Sequence, residues 1–148
     1  MDTKQQAARI VAGLKKAGID FIATLPDEKI VEVIRAVESD PAIQHVPLCR
    51  EEEGIGICAG AYLAGRKTAL IMQNAGFLNS CNALTTTSLQ FQIPMLLLIY
   101  YAGDMGDRGF ATLGSVTEPA LQALGVRYAI LRRTDVAVLL TKSVLGVK

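Results

Sequence analysis

The chain has no tryptophan, and only 5% of its residues are aromatic. Its charges nearly cancel, at a formal +1. It therefore lacks both the basic surface and the stacking side chains with which proteins hold nucleic acid. A single histidine, His45, lies within a run that reads as a strand. A Ser-His-Asp or Cys-His site would have to be built on it, and no nucleophile elbow accompanies it, so a packed or surface histidine is expected. The three cysteines, Cys49, Cys58 and Cys81, have no metal-ligand spacing and sit among apolar residues. They read as reduced thiols of a cytoplasmic protein. The longest apolar run, 93–101, is interrupted by Pro94 and is too short to cross a bilayer. The polar stretch Met1 to Gln6 has no signal-peptide core, so neither a membrane nor a secretory address is expected.

What is abundant is aliphatic. Of the 148 residues, 51% are hydrophobic, rich in Ala, Ile, Leu and Gly, which is more apolar surface than one small domain hides. Burial against other chains is the expected outlet.

Helical and strand patterns alternate along the chain. Residues 3–16 carry Ala7, Ile10, Val11 and Leu14 at helical spacing, with Gly18 just beyond. A strand follows over 20–24, then a helix over about 27–38, and a strand over 43–48. Next come a helix opened by glutamates and reaching about Ala64, a strand over 68–72, and a helical pattern over 77–90. Residues 95–100 form a continuous apolar strand of the kind that is covered on both faces in a parallel sheet. After a Gly- and Asp-rich loop over 103–109, the pattern predicts a helix over 117–124 and a strand over 127–131. A closing helix is expected over 134–147, N-capped by Thr134 or Asp135. The expectation is one α/β domain over residues 1–148. It would have three layers, with a mostly parallel central sheet of five to six strands and helices on both faces, as in flavodoxin-like folds.

In such sheets ligands bind beyond the carboxyl ends of the strands. Four segments follow strands and so crowd that edge: Leu25-Pro26-Asp27-Glu28, Arg50 to Glu53, Gln73 to Asn79, and Tyr101 to Asp104. The amide-rich turn Gln73-Asn74-Ala75-Gly76-Phe77-Leu78-Asn79 lacks the lysine and hydroxyl of a Walker loop, and no dinucleotide glycine fingerprint follows the first strand. Its amides could equally serve as caps and turn formers. The Asp104–Asp107 loop has no calcium-loop spacing.

The segment Arg50-Glu51-Glu52-Glu53-Gly54 leads into a helix carrying Gly54, Gly56 and Gly60, with Gly65 near its end. Each interior glycine costs roughly 1 kcal/mol against alanine, a cost accepted where another backbone or a ligand comes close. Acidic residues in a first turn also complement the helix dipole, so the carboxylates have a structural reading too. Helix residues point about 100° apart, and Ile55, Cys58, Ala59 and Tyr62 form the expected inward stripe. Glu51 and Glu52 extend it and Glu53 falls outside. A carboxylate heading a buried stripe is expected to be desolvated and suited to proton exchange with a ring nitrogen.

Together these blocks resemble the pyrimidine-binding domain of thiamine-diphosphate enzymes, over roughly residues 5–132. The parts that carry the likeness are Leu25-Pro26-Asp27, Arg50 through Gly65, Met72 through Asn79, and Ile93-Pro94 with the apolar strand after it. Within that family the likeness is to two-subunit 2-keto-acid decarboxylases acting on sulfopyruvate, with those acting on phosphonopyruvate next. The family's glutamate lies ten residues before the tyrosine of a small-residue helix, and counting back from Tyr62 gives Glu52. The family's Gly-x-x-Asn element falls on Gly76 and Asn79. The resemblance implies that Glu52 is catalytic, bonding N1′ of the cofactor's aminopyrimidine. It also implies cofactor contacts from Pro26, Gln73, Asn74, Gly76 and Asn79, and a small anionic 2-keto acid near Asp27, Arg50 and Arg108. The departures from the family pattern are local: Ala75, Phe77 and Leu78 in the amide loop, and Ala61 in the helix.

The Gly-Asp-Gly motif and downstream asparagine that hold Mg2+ and the diphosphate in single-chain relatives do not occur. The resemblance therefore implies that a β subunit supplies them, in an α–β hetero-oligomer that binds thiamine diphosphate and Mg2+ between its chains. Other readings stay open: an acetolactate synthase-like or transketolase-like two-subunit enzyme, or a stand-alone flavodoxin-like binding module with no role for Glu52.

Overall fold

Ala7, Val11 and Leu14 are the buried stripe of helix α1 (Thr3–Lys16), which opens on Asp2 as its N-cap. The computed structural model describes residues 2–104, 106–131 and 136–140, the last in backbone only. Strand β1 (Phe21–Thr24) is followed by a 3-10 turn (Glu28–Ile30) and helix α2 (Val31–Glu38). Then come β2 (Gln44–Pro47), α3 (Glu51–Leu63), β3 (Thr68–Gln73) and α4 (Asn74–Asn79). The short turn α5 (Cys81–Ala83) continues into a π-helical stretch (Leu84–Leu89). Strand β4 (Leu96–Tyr100), a 3-10 turn (Arg108–Phe110), α6 (Ala111–Ala123), β5 (Arg127–Leu131) and β6 (Val136–Leu140) complete the described chain.

The strands form one six-stranded sheet in the order β2-β1-β3-β4-β6-β5. β2, β1, β3 and β4 are mutually parallel, while β6 runs antiparallel to both β4 and β5. Alternation along the strands divides the interior in two. Phe21, Ala23, Leu70, Met72, Leu97 and Ile99 enter a core shared with Ile55, Cys58 and Ala59 of α3, Phe77 of α4 and Leu121 of α6. Ile22, Ala69, Ile71 and Leu98 enter a second core with Ala7, Val11 and Leu14 of α1 and Val33, Ile34 and Val37 of α2. The expected three-layer α/β architecture is present.

The closing helix expected over 134–147 is corrected at its centre. Residues 136–140 are strand β6, inserted between β4 and β5; Thr134, Asp135 and 141–147 lie outside the described residues. A short apolar run such as Val136-Ala137-Val138-Leu139-Leu140 carries no periodicity that separates strand from helix. Its pairing with strands on both sides decides the matter. Two other helices also differ from expectation. α6 starts at Ala111 rather than 117, with Pro119 inside it. The pattern over 77–90 starts three residues early, directly after β3 with no loop between, and changes to π-helical hydrogen bonding at Leu84.

Candidate active site

The parallel strands end on one edge, and their connections leave it in different directions. β1 passes to α2, on one face of the sheet, whereas its neighbour β3 passes to α4, on the other. That divergence opens a crevice between the ends of β1 and β3, where open α/β sheets place ligands. Helix α3, arriving from β2, brings its first turn to the same edge.

The three glutamates of that turn have separate surroundings. Glu53 Oε2 accepts from the N–H groups of Cys49 at 3.3 Å and Arg50 at 3.4 Å, satisfying backbone ahead of the helix. Glu51 lies against Gly76 of α4, so closely that a Cβ at position 76 would overlap its side chain. Glu52 carries a contact with Arg50, Oε1 to Nε at 3.2 Å, and its side chain is 40% exposed. The expectation that Glu52 is desolvated is therefore not met in the isolated chain, where its side chain stays open to solvent. Ile55, Cys58 and Ala59 are buried as the stripe requires, but Tyr62 is not, standing 38% exposed near the helix's last turn.

Glycine serves two purposes here. At Gly54 a Cβ would come within 2.6 Å of Leu70 Cδ1 and 2.7 Å of Leu48 Cδ1, so α3 sits on β3 at glycine distance. Gly65, at φ +89°, closes the helix as its left-handed terminator rather than lying in its interior. Gly56 and Gly60 have open space where a side chain would be.

Across the crevice, Gln73 Nε2 donates to Asp27 Oδ2 at 2.9 Å, joining the end of β3 to the turn after β1. Asp27 Oδ1 accepts from the N–H of Lys29 at 2.8 Å and so also caps the 3-10 turn. Pro26 is exposed beside it. Asn74 is wholly buried and faces inward. Its Nδ2 donates to Ala102 O and Thr117 Oγ1, each at 2.9 Å, and its Oδ1 accepts from Ala102 N at 3.2 Å. The asparagine thus ties the loop after β4 and helix α6 to the start of α4. Sequence reasoning placed Ala102 in an edge loop but did not link it or Thr117 to Asn74, from which they stand 28 and 43 residues away. Asn79 is exposed in the last turn of α4. Arg108 is exposed in the 3-10 turn before α6, on the connection that leaves β4.

Cys58 and His45 lie off the crevice. Cys58 is buried, and burial pushes its thiol up to about 12. His45 Nε2 pairs with the buried Thr24 Oγ1 at 2.8 Å, and Glu38 lies 3.8 Å from Nδ1. Burial holds its pKa below the usual histidine value, with Glu38 offsetting in part. This is a packed histidine. Among the described residues no group of three His, Cys, Asp or Glu side chains could hold a metal ion, and no helix is long and apolar enough to cross a membrane.

Comparison with known proteins gives the family. Residues 4–104 match the family described as thiamine pyrophosphate enzyme, N-terminal TPP binding domain. The chain is 40% identical to a sulfopyruvate decarboxylase subunit alpha of Methanococcus maripaludis, over 85% of this chain and 77% of that one. It is 39% identical to the subunit of the same name from Methanothermobacter thermautotrophicus, over 80% and 73%. A phosphonopyruvate decarboxylase of Streptomyces viridochromogenes is 29% identical, over 86% of this chain and 33% of that protein. The family match covers most of the chain and falls on the elements that build the crevice: the chain belongs to the thiamine pyrophosphate enzymes, as their N-terminal TPP binding domain.

Proposed function

We propose that the chain is the α subunit of a two-subunit, thiamine-diphosphate-dependent decarboxylase of 2-keto acids, converting 3-sulfopyruvate to sulfoacetaldehyde and CO2. The observation that carries the reading is Glu52, presented half-exposed at the head of α3 on the ligand edge, with Arg50 beside it. Its two neighbouring glutamates are committed to the helix start and to Gly76.

The donor set fits the pyrimidine half of the cofactor. A carboxylate bonds a ring nitrogen, the Asp27–Gln73 pair supplies polar groups across the crevice, and Gly76, where Glu51 takes the place of a side chain, lets α4 approach the head of α3. Pro26 and Asn79 complete the proposed contacts, while Asn74 serves by holding the turn that carries Gly76. When bound, thiamine diphosphate supplies the sink for the electron pair left as CO2 departs. Glu52 holds a proton at the pyrimidine's N1′, and its exposure ends when a partner chain closes over the edge, which strengthens that bond. Asp27, Arg50 and Arg108 face the substrate. The two arginines offer planar forks to sulfonate and carboxylate oxygens. Mg2+ and the diphosphate fall to a β subunit. Beyond Glu53 the outer side of α3 is uncharged, and Ile57, Tyr62 and Leu63, exposed there, support its docking.

The likeness to subunits named for sulfopyruvate supports that substrate, and the more distant phosphonopyruvate decarboxylases support phosphonopyruvate as the alternative. The test is to reconstitute the chain with a partner that carries the Gly-Asp-Gly motif and compare kcat/KM on sulfopyruvate, phosphonopyruvate and pyruvate. Sulfopyruvate is expected to lead and pyruvate to be poor. A preference for pyruvate would overturn the assignment.

A further inference from the structure

Along β3, Leu70 and Met72 enter the core beneath α3, and Ala69 and Ile71 the core beneath α1 and α2. Gln73, the next residue, leaves the strand toward the α2 side, away from Glu51 and Gly76. There its amide donates to Asp27 Oδ2 at 2.9 Å, while the Lys29 N–H donates to Oδ1 at 2.8 Å. Each carboxylate oxygen is thus held by one donor, from a different strand connection, and each keeps a further acceptor site. Asp27 is only partly exposed, at the mouth of the crevice. Capping the 3-10 turn needs the Lys29 bond alone. The Gln73 bond adds nothing to that cap; its effect is to fix where the carboxylate sits relative to the end of β3.

We infer that Gln73 is a positioning residue. It acts through Asp27, holding that carboxylate aimed into the crevice, and makes no cofactor contact of its own. The inference rests on the decarboxylase reading and alters one part of it, the expected contact between Gln73 and the cofactor. A carboxylate held beside the reacting groups favours the proton-bearing groups that appear later in the reaction. The contribution of Gln73 therefore falls on kcat rather than on KM.

The test uses the complex of this chain with its diphosphate-binding partner. Gln73→Met keeps the length of the side chain and removes the donor. Asp27→Asn keeps the capping acceptor and removes the charge. Gln73→Met is expected to lower kcat about 10- to 100-fold, the scale of a misplaced reacting group, with little change in KM. Calorimetry is expected to give an unchanged Kd for thiamine diphosphate. In the Asp27→Asn background, Gln73→Met is expected to cost no further activity, since both act through one group. Gln73→Glu, which sets a second carboxylate against the first, is expected to reproduce the loss if the methionine variant fails to assemble. Additive losses, weakened cofactor binding, or an unchanged kcat in both Gln73 variants would overturn the inference. A complex inactive on every keto acid, or indifferent to Glu52→Gln, defeats the decarboxylase reading as well. An active, Glu52-dependent complex with additive losses defeats only the role given to Gln73.

Discussion

Three identical side chains in succession at the head of α3 meet three different surroundings, and the chemistry follows from the surroundings. Glu53 bonds backbone ahead of the helix, Glu51 rests on Gly76, and Glu52 reaches the open edge. Glu52→Gln is nearly isosteric and is expected to leave the fold and melting temperature unchanged. In the reconstituted complex it is expected to lower kcat by about 10²–10⁴-fold, the usual contribution of a positioned proton-transfer group. Glu53→Gln is expected to be mild in rate and in stability, because glutamine also bonds back to the N-cap. If Glu53→Gln proved the more damaging of the two, the register of this helix would be misassigned. That Glu53 stands apart from the other two was legible in the sequence from 3.6-residue spacing, whereas the choice of Glu52 over Glu51 rests on the count back from Tyr62 that the resemblance implies. The exposure of Glu52 was not legible, because it depends on what covers the helix end. His45 carries a separate expectation. Its folded pKa lies below the ordinary value of 6.5, so its contribution to stability is present above that pH and lost as pH falls through the folded value. Denaturant unfolding between about pH 8 and 5 is expected to show a loss of stability that His45→Gln reduces. An identical pH dependence in the variant would remove His45 as the cause.

At the scale of elements, α3 shows which glycines the chain itself needs. Gly54→Ala would drive a methyl into Leu48 and Leu70 and is expected to destabilise by about 1–3 kcal/mol, read from urea unfolding. Gly56→Ala and Gly60→Ala meet open space and are expected to stabilise the isolated subunit, by up to about 1 kcal/mol each, through helix propensity alone. If a partner's backbone approaches this face, the same two substitutions weaken assembly. Opposite signs in the isolated chain and in the complex are therefore the expected result, and a gain in both would place the interface elsewhere. The sequence located α1, α2, α3 and the four parallel strands to within a few residues, since each carries its own periodicity or apolar run. It missed the half of α6 before Thr117, where Gly114 and exposed residues blur the stripe. It also misread 136–140, whose strand state is fixed by pairing with β4 across a long sequence separation and with its chain neighbour β5. Local pattern determines an element only where the element buries a face of its own; β6 is defined by its neighbours.

For the whole molecule, two features concern the same edge. Glu52 stands at an open crevice, and the adjoining helix exposes Ile57 at 37%, Tyr62 at 38% and Leu63 at 74%. A single partner chain covering α3 would bury those side chains and close the site over Glu52 in one step, coupling cofactor binding to assembly. The residues that would bind the pyrimidine lie on this chain, whereas no described cluster offers ligands for a cation bridging a diphosphate. A diphosphate without its cation and donors contributes little affinity, and the pyrimidine contacts alone cannot immobilise the cofactor cheaply. The isolated chain is therefore expected to bind thiamine diphosphate with Mg2+ weakly, with no shift in its melting temperature at millimolar cofactor. With the partner present, cofactor at about a hundred times its Kd is expected to stabilise the complex by about 2.7 kcal/mol. Cofactor is also expected to tighten association of the two chains by the same factor as association tightens cofactor, the reciprocity that linkage demands. Calorimetry on the chain alone, on the mixture, and on the mixture carrying Glu52→Gln measures all three legs. Micromolar affinity in the chain alone would show that the site is not divided between subunits, and the role assigned to the exposed face of α3 would fall with it.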